Sequence, residues 1–208
     1  MGVAADERAA LCELFHEVGP EAPTLCEGWA ARDLAAHLVL REHRVDAALG
    51  ILLAPFASHM RRVQDGYAAR PWPDLVEQVR RGPAWYWPTS IGPVDELTNT
   101  AEFLVHHEDL RRGDPGWEPR PADAVRDDAA WRSVRGAARL NLRTARVGVT
   151  LRTTDGRGAQ VKSGPDPVTV VGHPLELLLF VFGRDAVHLT FDGDPAAISS
   201  LRSANRAL

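Results

Sequence analysis

Apolar residues recur along the first half of the chain at helical spacing. Leu11, Leu14, Phe15 and Val18 follow the i, i+3, i+4, i+7 pattern, so residues 4–18 are predicted to form an amphipathic helix, ended by Gly19-Pro20. A loop through Pro23 and Gly28 precedes a second stripe, Leu34, Leu38, Val45 and Leu49, which predicts a helix from about Ala31 to Leu49. Shorter helical pieces are expected near 57–68 and 74–81. Prolines punctuate the segment from Pro71 to Pro93, where Trp72, Trp85, Tyr86 and Trp87 form an aromatic cluster suited to bundle packing or to the wall of an apolar pocket. Pro93 suits the first turn of a helix that continues to Arg112. This half predicts a helical bundle.

The pattern changes after Gly113-Asp-Pro-Gly116 and the proline-rich Trp117–Pro121, which mark a boundary between residues 1–115 and 122–208. One helix, about 123–145, is followed by β-like runs at Val147–Thr154, Ala159–Lys162 and Val168–Val171, with Asp155-Gly156 and Gly164-Pro165-Asp166 as turns. Pro174–Phe182 predicts a buried apolar helix, Ala186–Phe191 a strand and Pro195–Ala207 a closing helix. The fold class is therefore α plus α/β in two parts: a helical bundle, then a small α+β domain.

Composition narrows the function classes. The 208 residues are 45% hydrophobic and 25% charged, an ordinary globular balance. A net charge of −4 argues against nucleic acid as a partner, and no apolar run is long enough to cross a membrane. The N-terminus lacks an apolar signal core, so a cytoplasmic protein is expected. Cys12 and Cys26 form no CxxC pair; Cys12 is expected buried, Cys26 in a loop with only Arg32 nearby to activate it. Lys162 is the only lysine, and the preference for arginine, alanine, glycine and proline points to a GC-rich genome.

Two helical stretches place metal-ligand side chains on one face. These are Trp29-Ala-Ala-Arg-Asp33-Leu34-Ala-Ala-His37-Leu38 and Asn99-Thr-Ala-Glu102-Phe-Leu-Val-His106-His107-Glu108-Asp109. Glu102 and His106, four residues apart, share a face, and His37 meets them if its helix is adjacent. Two imidazoles and one carboxylate suit zinc, and also nickel, iron or cobalt, with a coordination position left open. Spacing alone is a weak signal: with 28 carboxylates and eight histidines, about one acid four residues before a histidine arises by chance. His37 between Leu34 and Leu38 equally suits a hydrogen-bonded core histidine. Glu102 has no lysine near it, and Arg111 and Arg112 lie two turns away, so its burial would call for a cation. Asp33 is expected to serve its helix N-terminus. His16, His43 and His59 are expected at the surface, and Glu108 and Asp109 as solvated charge with Arg111 and Arg112.

These two segments together resemble the DinB-like superfamily, and more closely the actinobacterial mycothiol-dependent maleylpyruvate isomerase family. Phe182-Gly183-Arg184-Asp-Ala-Val and Phe191-Asp-Gly-Asp-Pro195 resemble that family's second domain. The resemblance implies a DinB-like four-helix bundle holding a divalent metal on His37, Glu102 and His106, followed by a small α+β domain. It implies mycothiol as cofactor, and Arg184 as the counterpart of a catalytic arginine. The sequence departs from the family at Ala30, where serine or threonine is usual, and the Asn99–Asp109 run looks like an uncharacterised branch.

The activity implied is mycothiol-dependent isomerisation or S-transfer on a small electrophilic substrate. Arg184 would pair with a substrate carboxylate or the cofactor. The same three ligands equally serve a non-catalytic metal-binding protein, such as a sensor or stress-response module. A metal-activated hydrolase is a third option, although no separate general base is apparent unless Asp33 fills that role. A homodimer is compatible with any of these.

Overall fold

The structure, a computed structural model, describes residues 2–44, 57–83 and 92–206. These form two compact units, Met1–Glu118 and Pro119–Leu208. Among the described residues there are eight helices and one four-stranded sheet. No helix among them is long and apolar enough to cross a membrane.

The first unit contains five of these helices: α1 (Val3–Val18), α2 (Ala31–His43), α3 (Ala57–Ala68), α4 (Trp72–Arg81) and α5 (Gly92–Arg111). Their apolar stripes meet in one core that includes Leu11, Phe15, Leu34, Leu38, Leu75, Val79 and Phe103. α1 packs on α5 and α4, while α2 packs on α3 and α4. α1 lacks a side-chain cap of its own. Glu96 of α5 supplies one, accepting from the backbone N–H of Val3 at 3.1 Å and of Ala4 at 3.0 Å. Trp72 meets Phe15 edge-on, ring centroids 5.4 Å apart, as bundle packing would have it. α2, expected to run to Leu49, ends at His43 with Arg44 as its C-cap; residues 45–49, like Trp85, Tyr86 and Trp87, lie outside the described residues.

The second unit sets α6 (Ala124–Asn141) and α7 (Pro174–Val181) against a sheet. The strands are β1 (Val149–Thr153), β2 (Gly158–Lys162), β3 (Val168–Gly172) and β4 (Leu189–Asp192), in the order β2-β1-β3-β4. β1 pairs antiparallel with β2 and parallel with β3, and β4 runs antiparallel to β3. The β2–β3 connection therefore crosses the entry to β1. A Cβ on Gly148 would lie 2.9 Å from the carbonyl oxygen of Gly164, so both residues must stay small. β1 and β3 alternate buried and less buried positions, and every residue of α7 is buried.

Among the boundaries that differ from the sequence reading, three lie around the end of the sheet and the helices beside it. The strand expected from Ala186 starts at Leu189, because the His188 amide donates to Glu176 Oε2 at 2.8 Å and the Val187 amide to Asp185 O. α6 stops at Asn141 in a turn. The closing helix α8 (Pro195–Arg202) is shorter than expected, since the chain turns back after it. Thr144 Oγ1 donates to Asn205 O at 2.7 Å, and Arg206 donates to Phe180 O and Asp185 Oδ1.

Candidate metal centre

α2 presents His37 from the stripe that carries Leu34 and Leu38 into the core, so the imidazole is drawn inward with them and is 8% exposed. Trp29, in the loop before α2, packs its ring 5.1 Å from the His37 ring. α5 presents Glu102 and His106 one turn apart on the facing side. The structure thus brings the three predicted side chains together. Glu102 Oε1 lies 3.2 Å from His37 Nε2 and 3.2 Å from His106 Nε2. All three donor atoms lie within 4.8 Å of one another.

This donor set fits a divalent ion. Tetrahedral zinc with bonds of about 2.0–2.1 Å separates neighbouring donors by roughly 3.3 Å. The two 3.2 Å separations are close to that edge and also suit hydrogen bonds. The second nitrogen of His106 favours the metal reading: Nδ1–H donates to Asp109 Oδ2 at 2.8 Å, which turns Nε2 toward the cluster, where its lone pair would serve an ion. Such a carboxylate fixes both tautomer and ring orientation. His37 has no equivalent, since its buried Nδ1 has no hydrogen-bond partner among the described residues. Packing on Trp29 orients it instead.

Electrostatics without an ion follow from the same contacts. Burial opposes the charge on His106, but the Glu102 charge and the hydrogen bonds that the imidazole makes with Asp109, Cys26 and Glu102 overcome it and hold its pKa well above the usual imidazole range. Burial likewise opposes the Glu102 carboxylate, yet His106, His37 and Arg41 keep its pKa well below the usual value. Burial dominates at His37 and lowers its pKa, against the pull of Glu102.

Several surrounding residues were read differently from the sequence. Asp109 and Glu108, expected as solvated charge, are wholly buried. Glu108 accepts from Arg112 Nε at 2.6 Å, itself fully buried, while Asp109 turns to His106. Arg41 answers the absence of a cation near Glu102: one turn beyond His37 on α2, its Nε lies 3.3 Å from Glu102 Oε1. Arg41 also donates to Asn99, whose Nδ2 donates to Glu42 at 3.2 Å. Cys26, in its loop, is half-buried, and its Sγ–H donates to Asp109 Oδ2 at 3.3 Å. His107, on another face of α5, is buried against Glu7 at 2.7 Å. His43, expected at the surface, is partly buried. Cys12 is buried as expected, and burial pushes its thiol pKa up to about 11. The one signal that would have found Asp109 is its i+3 spacing from His106, which places both on the same side of α5.

Asp33 accepts from the Ala30 amide at 2.9 Å. Ala30 has no side-chain acceptor, so only half of a capping box is made. Arg184 belongs to the second unit, where it follows α7 and donates to Phe182 O at 2.6 Å.

No family model and no curated protein matches the chain. Among solved structures, the crystal structure of the mycothiol-dependent maleylpyruvate isomerase is similar: the TM-score is 0.60 at 14% identity, covering 91% of this chain and 90% of that one. The likeness establishes a shared fold.

Proposed function

We propose that the chain is a metal-dependent, thiol-using enzyme with mycothiol as cofactor. It would catalyse isomerisation or S-transfer on a small electrophilic substrate. The carrying observation is the convergence of His37 Nε2, Glu102 Oε1 and His106 Nε2, with Asp109 behind the last. The shared fold with a mycothiol-dependent isomerase supports the thiol and the reaction class. The DinB-like four-helix bundle, the division into residues 1–115 and 122–208, and a cytoplasmic location belong to the same reading.

His37, Glu102 and His106 would hold the ion, zinc first, with nickel, iron or cobalt as alternatives. A divalent cation with an open position lowers the pKa of a thiol there and so favours the nucleophilic thiolate. Glu102 brings one negative charge to the ion, and Arg41 helps keep that carboxylate ionised. His106 offers a fixed lone pair because Asp109 holds its other nitrogen. Arg184 is proposed to pair with a substrate carboxylate or with the thiol cofactor.

The test is metal content of untagged protein by mass spectrometry, beside His37→Ala and His106→Ala variants, followed by assay with mycothiol and electrophilic substrates. About one ion per chain, lost in both variants, with turnover that needs the thiol, is the expected result. Metal without thiol-dependent turnover would leave a metal-binding protein. No metal after soaking with zinc or nickel would remove the proposal.

A further inference from the structure

The loop between α1 and α2 does more than connect them. Its Leu25 amide donates to the Asp109 carbonyl at 2.9 Å, and the Cys26 thiol donates to the Asp109 carboxylate at 3.3 Å. Just beyond α5, a Cβ on Gly113 would fall 1.9 Å from the Pro23 carbonyl oxygen, so the loop lies directly against the end of that helix. A turn closed by the Trp29 amide on the Cys26 carbonyl, at 3.0 Å, then brings Trp29 to the His37 ring. One short loop therefore reaches both imidazoles, His106 through Asp109 and His37 through Trp29.

We infer that Asp109 and Cys26 are a positioning pair for the metal centre. Asp109 fixes the His106 ring with Nδ1–H turned away from the ion and Nε2 turned toward it, and the Cys26 thiol holds Asp109 in place. The inference rests on the metal reading and adds two residues to it, neither of which needs to touch the ion. Three features argue for a built arrangement. Asp109 is wholly buried, its Oδ2 receives both the imidazole and the thiol, and the same residue's carbonyl anchors the loop. A buried carboxylate that only stabilised the helix end would not need to face an imidazole and a thiol together. The alternative is that Cys26, His106 and Asp109 ligate an ion directly, since their donor atoms also lie within 4.8 Å of one another.

The experiment measures zinc affinity by competition with a chromophoric chelator. It compares the full chain with Asp109→Asn, Asp109→Ala, Cys26→Ala and Cys26→Ser. Circular dichroism checks that each is folded. Removing such a partner typically weakens metal binding about 10- to 100-fold. That range is expected for Asp109→Ala, with a smaller loss for Asp109→Asn. Cys26→Ala should weaken binding less than Asp109→Ala, and Cys26→Ser should restore it, because a hydroxyl also donates to Asp109. The Cys26 pair keeps the test decisive if the Asp109 variants do not fold.

Long-range nitrogen–proton NMR of the zinc-loaded chain, with His106→Ala for assignment, should show Nδ1 protonated and Nε2 bound in the unmodified chain. That pattern should be lost in Asp109→Ala, a change that mere loosening of the fold would not single out. Unchanged affinity in both alanine variants would overturn the inference while leaving the metal centre standing. A thiolate-to-metal charge-transfer band in the cobalt-loaded chain, abolished by Cys26→Ser, would also overturn it by making Cys26 a ligand. Failure of the unmodified chain to bind zinc would remove the parent reading and this one with it.

Discussion

Arg41 Nε lies 3.3 Å from Glu102 Oε1, the same oxygen that His37 and His106 approach at 3.2 Å each. A buried carboxylate needs compensating charge, and here an arginine and an imidazolium supply it in the absence of an ion. A divalent cation would displace the imidazolium proton and still face the Arg41 guanidinium. Arg41→Met should therefore lower the melting temperature of metal-free protein and enlarge the rise produced by saturating zinc. Differential scanning fluorimetry with and without zinc checks both directions; an unchanged zinc-induced rise would detach Arg41 from the centre.

The pKa shifts give the pH dependence its sign. The raised pKa of His106 means its contribution to metal-free stability is full below the ordinary imidazole value of 6.5 and fades as pH climbs through the folded value. The lowered pKa of Glu102 means its contribution is full above 4.5 and fades as pH falls through the folded value. Both contribute fully between those limits, so stability should be greatest there, and Glu102→Gln should lower that maximum and flatten the fall on either side. Urea titrations of metal-free protein across this range measure it.

Metal uptake has its own proton balance. His37 has a lowered pKa and is neutral at pH 7, whereas His106 carries a proton that an ion on Nε2 must displace. About one proton should leave per ion bound near neutral pH, with affinity falling as the solution is acidified. Calorimetry in two buffers of different ionisation enthalpy counts that proton.

Glu42 accepts two hydrogen bonds from Arg8, at 2.6 and 2.5 Å, and both residues are buried. Glu42→Ala would leave the guanidinium without its carboxylate, a loss of about 3–5 kcal/mol for a broken buried pair. Glu96→Ala removes the cap on α1 and should cost about 1 kcal/mol. Equilibrium denaturation should rank the two in that order.

The helices and the three clustered residues were legible because each depends on local spacing. Periodicity places Leu34, His37 and Leu38 on one stripe, and i, i+4 geometry pairs Glu102 with His106. What stayed hidden depends on which helices touch. Arg41 reaches Glu102 only because side chains of α2 and α5 meet at that carboxylate, and Cys26 reaches Asp109 only because a loop folds across a helix end. Glu108 and Asp109 look like ordinary surface charge in a run with Arg111 and Arg112. Their burial reflects partners at Arg112, His106 and Cys26, one on α5, one just past its end and one on a distant loop. The β4 boundary was missed for a similar reason, since the His188 amide is taken by a glutamate twelve residues earlier.

The Leu25 amide gives the loop attachment a further consequence. It sits outside any helix, in a segment that by sequence would exchange its proton with water quickly. Bonded to Asp109, it is released only when the loop lifts from the end of α5. Its hydrogen exchange should therefore be slowed by that attachment, at a rate set by how often the loop lifts. A single loop proton thus reports whether two chain segments more than eighty residues apart remain joined.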